Sequence, residues 1–243
     1  MLLQAALNGP FTKSDHPAMP TSIEELIRDA VACVAAGARA IHLHPRDATG
    51  HERLDAAVVD ATVTQVRAAC GVPVGVTTGA WIEPDLARRI ALIRAWQAPD
   101  YTSVNLSEEG AVVVMETLVA VGIGIEAGVS NVADVELLAT SGLGDRLTRI
   151  LIEPVDVRAE GALGIVADIH HALDRFGLTA PRLQHGDGEA TWIILTDAVR
   201  RGIDTRIGLE DTVAGLDGAH IAGNEALVRA AYALGAGPTG PYG

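Results

Sequence analysis

Two histidines flank one leucine in the run Ala40-Ile41-His42-Leu43-His44, which stops at Pro45. Residues two apart on an extended strand share a face, so both imidazoles point one way while Ile41 and Leu43 point the other. Paired imidazoles on one face suit a transition metal, above all when a carboxylate completes the set. Glu210 is the candidate third donor. In Arg206-Ile207-Gly208-Leu209-Glu210-Asp211 the same alternation puts Arg206, Gly208 and Glu210 on one face. Two imidazoles and one carboxylate around an open centre make a catalytic metal site. Taken alone, the His-x-His pair reads equally well as a hydrogen-bonded part of the core.

Donors so far apart in sequence need a scaffold that gathers the ends of distant strands. Short β-type runs alternate with helix-period segments along the whole chain. The runs cover residues 2–6, 38–44, 72–78, 101–106, 122–126, 149–153, 182–185 and 204–210. The first helix is expected after Thr21 or Ser22, with Glu24 and Glu25 in its opening turn and Gly37 at its end. The second covers about residues 55–69 and closes at Gly71. Eight strand-helix units in 243 residues predict an α/β fold, a closed (β/α)8 TIM barrel in a single domain, residues 1–243. The Gly/Pro-rich tail, residues 235–243, is expected to be loosely held. A doubly wound sheet is the competitor, but the first turn, Asn8-Gly9-Pro10-Phe11, has no dinucleotide-binding fingerprint.

Barrel enzymes keep their chemistry at the carboxyl ends of the strands. Most of these runs end on a polar group: His44, Thr77, Asn105, Glu126, Glu153, His185 and Glu210. Layers draw on alternate strands, so His44, Asn105, Glu153 and Glu210 are expected in one layer. One strand, at about 4.8 Å per step, separates the second from the eighth. Glu126 and Glu153 read either as partners that orient the site or as structural groups. Arg46 and Asp47 read as a loop pair. His16, His51, His170, His171 and His220 read as solvent-facing, and His185 as intermediate.

Bulk properties exclude several classes. Hydrophobic residues make up 49% of the chain, enough for a substantial core, and aromatics only 3%, too few for a base-stacking platform. A formal net charge of −13 disfavours nucleic acid and anionic membranes. Cys33 and Cys70 each lie alone in an apolar helical pattern, so a disulfide framework is not expected and both read as buried thiols. There is no basic n-region at the start and no membrane-length apolar run, so the expected setting is cytoplasmic.

Several stretches then fall in a recognisable order. They are Leu7-Asn8-Gly9, His16-Pro17-Ala18-Met19-Pro20 before the helix start at 21–25, and Gly37-Ala38 leading into the His-Leu-His run. Thr77-Thr78-Gly79, Ser103-Val104-Asn105 and the 206–211 stretch followed by Asn224 complete the series. Over nearly the whole chain this resembles the β-keto acid cleavage enzymes, typified by 3-keto-5-aminohexanoate cleavage enzyme. The resemblance implies a zinc-dependent acyl exchange in which a β-keto acid and acetyl-CoA give acetoacetate and a new acyl-CoA. It implies zinc on His42, His44 and Glu210, and catalytic roles for Arg206, Asp211 and Thr77. Substrate contacts are implied for Arg206, Thr78, Ser103, Asn105, Glu126, Phe11 and Lys13, and a homo-oligomer, tetramer or dimer, is implied as the assembly.

There are departures from the prototype. Phe11, with Lys13 close by, stands where the prototype has a glutamate that meets the substrate's amino group, so an apolar or anionic β-keto acid is as compatible as an aminated one. Threonine replaces serine at Thr77, and the chain is shorter around the fourth loop and at the C-terminus. Three rivals share the same residues: an aldol cleavage without CoA, an iron(II) oxygenase, and a barrel that only binds a small acid through a metal.

Overall fold

The structure is a computed structural model that describes residues 1–155 and 157–238. Eight parallel strands close into a barrel in chain order: β1 (Leu3–Ala6), β2 (Ala40–Leu43), β3 (Val74–Thr77), β4 (Tyr101–Asn105), β5 (Gly124–Val129), β6 (Arg149–Ile152), β7 (Arg182–Gln184) and β8 (Asp204–Ile207). Helices follow them in turn: α1 (Ile23–Ala36), α2 (Ala56–Cys70), α3 (Leu86–Ile93), α4 (Ala111–Val121), α5 (Val132–Ser141), α6 (Ala159–Arg175), α7 (Thr191–Arg201) and α8 (Asn224–Ala233). This is the (β/α)8 TIM barrel that the alternation predicts. β8 pairs back onto β1 with Arg206 opposite Gln4, and β1 sets Ala6 opposite His42. Among the described residues no helix is long and apolar enough to cross a membrane.

Local chemistry sets the helix ends. Ser22 and Glu25 form a reciprocal capping box at the start of α1, and left-handed Gly71 ends α2. The apolar core lies between strands and helices. Ile41, Leu43, Val74 and Val76 face outward from the barrel into it, with Leu26, Val59 and Val63 from the helices. Cys33 is buried in this layer, whereas Cys70 is only partly buried, and both are free thiols.

The barrel's own lower half is filled by a polar group of side chains. Tyr101 takes the space left by Gly75, where a Cβ would lie 2.0 Å from its ring. Its hydroxyl donates to Ile41 O at 2.6 Å, and Gln4 Nε2 donates to Glu126 Oε1 at 2.8 Å. Arg149 Nε approaches the same oxygen at 3.3 Å. Glu126 is therefore a floor residue, 0% exposed, and not the end of a strand, because β5 runs on to Val129.

Other expectations also change. β8 stops at Ile207, so Glu210 is not on a strand but in the turn at residues 208–211, which closes on the bond from Asp211 N to Gly208 O. Likewise His44, Glu153 and His185 each follow the last residue of their strand. His16 and His170 are buried, held by Ile221 O and Gln184 respectively, while His51, His171 and His220 are exposed. Arg46 donates to Gly9 O, Phe11 O and Gly50 O, and Asp47 instead approaches Arg53 at 3.6 Å. In the tail, Ala236 is buried, and residues 239–243 lie outside the described residues.

Candidate metal centre and active site

His42 projects from β2 into the barrel mouth, and His44 follows two residues on. Asn8 fixes the second of these: its Oδ1 accepts from His44 N at 2.8 Å and its Nδ2 donates to His44 O at 3.0 Å. Glu210 arrives from the other side of β1. A Cβ at Gly208 would lie 1.7 Å from Ala6 O, and one at Gly9 would lie 2.6 Å from Glu210 Cγ, so two bare glycines let the turn fold against β1.

The three donors converge. One ligand atom from each of His42, His44 and Glu210 lies within 4.8 Å of the other two. Glu210 Oε1 is 3.7 Å from His42 Nε2 and 3.6 Å from His44 Nε2, spacings suited to donors around a common point rather than to direct hydrogen bonds. Glu210 Oε2 is buried with no hydrogen-bond partner among the described residues. Burial pushes His42 down to about 3, which keeps its imidazole neutral, the form a metal needs. Burial raises the Glu210 carboxyl, but the neighbouring Arg206 guanidinium, with the two imidazoles, outweighs it and holds the group well below its usual range, ionised. For His44, burial is outweighed by Glu210 and Glu52, and its value is raised. Two imidazoles and a carboxylate, with open space beside them, fit a divalent transition metal.

Arg206 sits beside this centre, 6% exposed. Its Nη2 donates to Glu210 Oε1 and Asp211 Oδ1, both at 2.7 Å, and its Nε donates to Asp211 Oδ1 at 3.0 Å. Two of its three nitrogens are thus committed to these carboxylates. A two-pronged grip on a substrate carboxylate is closed to it, and Nη1 is the nitrogen these bonds leave over. Burial raises the Asp211 carboxyl above its ordinary value, against the pull of Arg206, and its Oδ2 is buried with no hydrogen-bond partner among the described residues. A carboxylate so placed has the character of a general base.

A cavity of about 250 Å³ opens over these groups. Thr77, Ser103, Asn105, Phe11, Arg206, Glu210 and Asp211 all line it, as do Trp81, Glu153 and His185. Not every expected contact gathers there. The Thr78 hydroxyl turns away to donate to Ser103 O at 2.7 Å, Lys13 pairs with Glu25 at the start of α1, and Glu126 lies in the floor. A second cleft of about 590 Å³ adjoins the first and shares Phe11, Glu210 and Asp211 with it, adding Leu209 and Val213.

Two groups at the site carry little sequence signal, and a third is legible only as a polar strand end. Glu52 accepts from His44 Nδ1, and Trp81 stacks on His44 with ring centroids 6.1 Å apart. The third is His185, whose Nε2 is 3.1 Å from Glu153 Oε2. Glu52 lies in a loop bridge opposite Arg46, beyond the reach of any periodicity, and its position eight residues after His44 is its one clue.

Comparisons with known proteins bear on the family and on the fold. A sequence model of the family described as beta-keto acid cleavage enzyme matches residues 1–141. The 3,5-dioxohexanoate:acetyl-CoA acetone transferase of Paraburkholderia graminis is 31% identical over 96 residues, which are 39% of this chain and 31% of that protein. In structure, the chain is similar to ObcA in a ternary complex with a C4-CoA adduct and oxalate, with a TM-score of 0.72 at 18% identity, covering 91% of this chain and 65% of ObcA. It is also similar to 3-dehydroquinate dehydratase from Geobacillus kaustophilus, with a TM-score of 0.63 at 15% identity, covering 96% of this chain and 90% of that one. Such distant structural likeness speaks to the barrel alone, and the chain matches less than two thirds of the length of the transferase and of ObcA. With the model match spanning more than half of its length, the chain belongs to the β-keto acid cleavage enzyme family.

Proposed function

We propose that this protein is a zinc-dependent β-keto acid cleavage enzyme that uses acetyl-CoA, releasing acetoacetate and a new acyl-CoA. The observation that carries the reading is the meeting of His42, His44 and Glu210 directly beside the Arg206–Asp211 pair. The Paraburkholderia graminis relative, named for an acetyl-CoA acetone transfer, supports the co-substrate. Two adjoining spaces at the centre suit a reaction with two substrates.

His42, His44 and Glu210 would hold the ion. Zinc bound there supplies Lewis acidity toward the β-keto oxygen. Asp211 takes the proton from the carbon between the two carbonyls, its raised value bringing it closer to a base of useful strength. Arg206 offers Nη1 to the substrate carboxylate while its other nitrogens keep Asp211 in place. The carbanion attacks the thioester carbonyl of acetyl-CoA and expels the CoA sulfur. Ser103 and Asn105 on β4 and Thr77 at the end of β3 line the space in which the oxyanion develops and supply polar contacts there. The sulfur then attacks the original ketone carbon, and cleavage of the carbon–carbon bond frees acetoacetate.

The test is a panel of β-keto acids incubated with and without acetyl-CoA, assayed for acetoacetate, together with metal analysis of protein purified without chelator. Acetoacetate formed only with acetyl-CoA, and zinc near one per chain, are the expected results. Cleavage that ignores acetyl-CoA would instead support an aldolase, iron would support an oxygenase, and binding without turnover a non-catalytic barrel.

A further inference from the structure

The reaction proposed above has two proton-transfer duties, and Asp211 accounts for one. It serves the carbon acid. The CoA sulfur leaves one carbonyl and attacks another, so it needs a partner that lends it a proton and takes it back. Imidazole is the side chain whose charge changes near neutral pH. His42 and His44 face the metal position. Among the described residues lining the cavity, His185 is the one other imidazole.

Resting on that reading, we propose that His185, oriented by Glu153, is a further catalytic residue, the acid and base for the CoA sulfur. A carboxylate only accepts, so the 3.1 Å contact with Glu153 Oε2 places a hydrogen on His185 Nε2. The working nitrogen is then Nδ1. It is buried, has no hydrogen-bond partner among the described residues, and lies 3.8 Å from Asp211 Oδ1. The ring lies between two carboxylates, Glu153 on its Nε2 side and Asp211 on its Nδ1 side.

The fold holds this pair firmly. His185 N donates to Ile152 O and Glu153 N to Val129 O, which seats both residues just above the barrel rim. Glu153 crosses β5 at Gly128, where a Cβ would lie 2.0 Å from its Oε1. Gly186 lies against Ile194 and Ala190, with no room for a side chain. This close packing fixes the ring relative to Asp211.

In the cycle, the carbon–sulfur bond of acetyl-CoA breaks and the sulfur takes the Nδ1 hydrogen, leaving a neutral ring. That hydrogen returns to Nδ1 as the sulfur, keeping the electron pair of its S–H bond, attacks the ketone carbon. The ring ends as it began, and no oxidant or reductant is consumed.

Two measurements separate this role from that of Asp211: acetyl-CoA-dependent turnover, and deuterium exchange at C2 of acetoacetate followed by proton NMR without CoA. His185→Gln keeps an amide for Glu153 but loses the base. It is expected to lose turnover by about a hundredfold or more while exchange stays near the wild-type rate. Glu153→Gln is expected to lower kcat less, with KM kept and exchange intact. Circular dichroism and thermal midpoints confirm that both variants fold. Turnover unchanged in His185→Gln, or exchange lost in step with turnover, overturns the proposal. Wild-type protein that exchanges the proton yet makes no acetoacetate from any β-keto acid overturns the CoA-dependent reading itself.

Discussion

His44 and Glu52 share a 2.6 Å hydrogen bond, Nδ1 to Oε1, and the indole of Trp81 holds the other carboxylate oxygen at 3.2 Å. The bond assigns the hydrogen of His44 to Nδ1 and frees Nε2 for the metal position. Carboxylates behind ligating histidines raise ligand basicity and fix ring orientation. Glu52→Gln is expected to weaken metal affinity about ten- to a hundredfold. Competition with a coloured chelator measures it, and an affinity equal to wild type would strip Glu52 of this role.

His44→Ala removes a donor outright. Metal content is expected to fall towards zero and turnover by at least about a thousandfold, the scale of the several kcal/mol a Lewis acid contributes. The far-UV spectrum should stay native, since Asn8 holds residue 44 through its backbone. Near-normal turnover in this variant would contradict the assigned metal site.

Gly208→Ala sets a methyl 1.7 Å from Ala6 O and 2.5 Å from Ala6 C, backbone atoms that cannot swing aside. The expected loss of stability is about 3 kcal/mol by urea unfolding, with displacement of Glu210. Gly164, inside α6, is the control. A Cβ there meets nothing within 4 Å, so Gly164→Ala should stabilise by about 0.5–1 kcal/mol.

Asp29 accepts from Asn224 Nδ2 at 2.6 Å, and burial raises its carboxyl to about 6 from 3.8. A raised carboxyl favours the protonated folded form, so stability from this group is present below about pH 4 and is lost as pH rises through about 6. Asp29→Asn removes that loss. It should be more stable than wild type by about 2 kcal/mol at about pH 8, with the gain vanishing near pH 4. Thermal midpoints of both proteins across this range decide it, and a gap independent of pH would refute the assignment.

The barrel and the two histidines are legible in the chain because their signals are local. Ser22, Glu25 and Gly71 mark helix ends within a few residues, and period-two alternation places His42 and His44 together on one face. Glu210 is legible as a donor but not in its geometry. Alternation would carry β8 through it, whereas the strand ends at Ile207 because Gly208 presses on Ala6, some two hundred positions away. Glu126 shows the opposite error. Ala127, Gly128 and Val129 read as the start of a loop, yet they extend β5 and lower Glu126 into the barrel. His185 and Glu153 are each visible as polar strand ends, but their pairing depends on the register of β6 against β7.

The floor built by Gln4, Tyr101, Glu126 and Arg149 ties β1, β4, β5 and β6 together beneath the centre. Exposed Phe11 and Trp81 border the cavity above it, so a reactant entering and a fragment leaving beside these two rings compete for the same space.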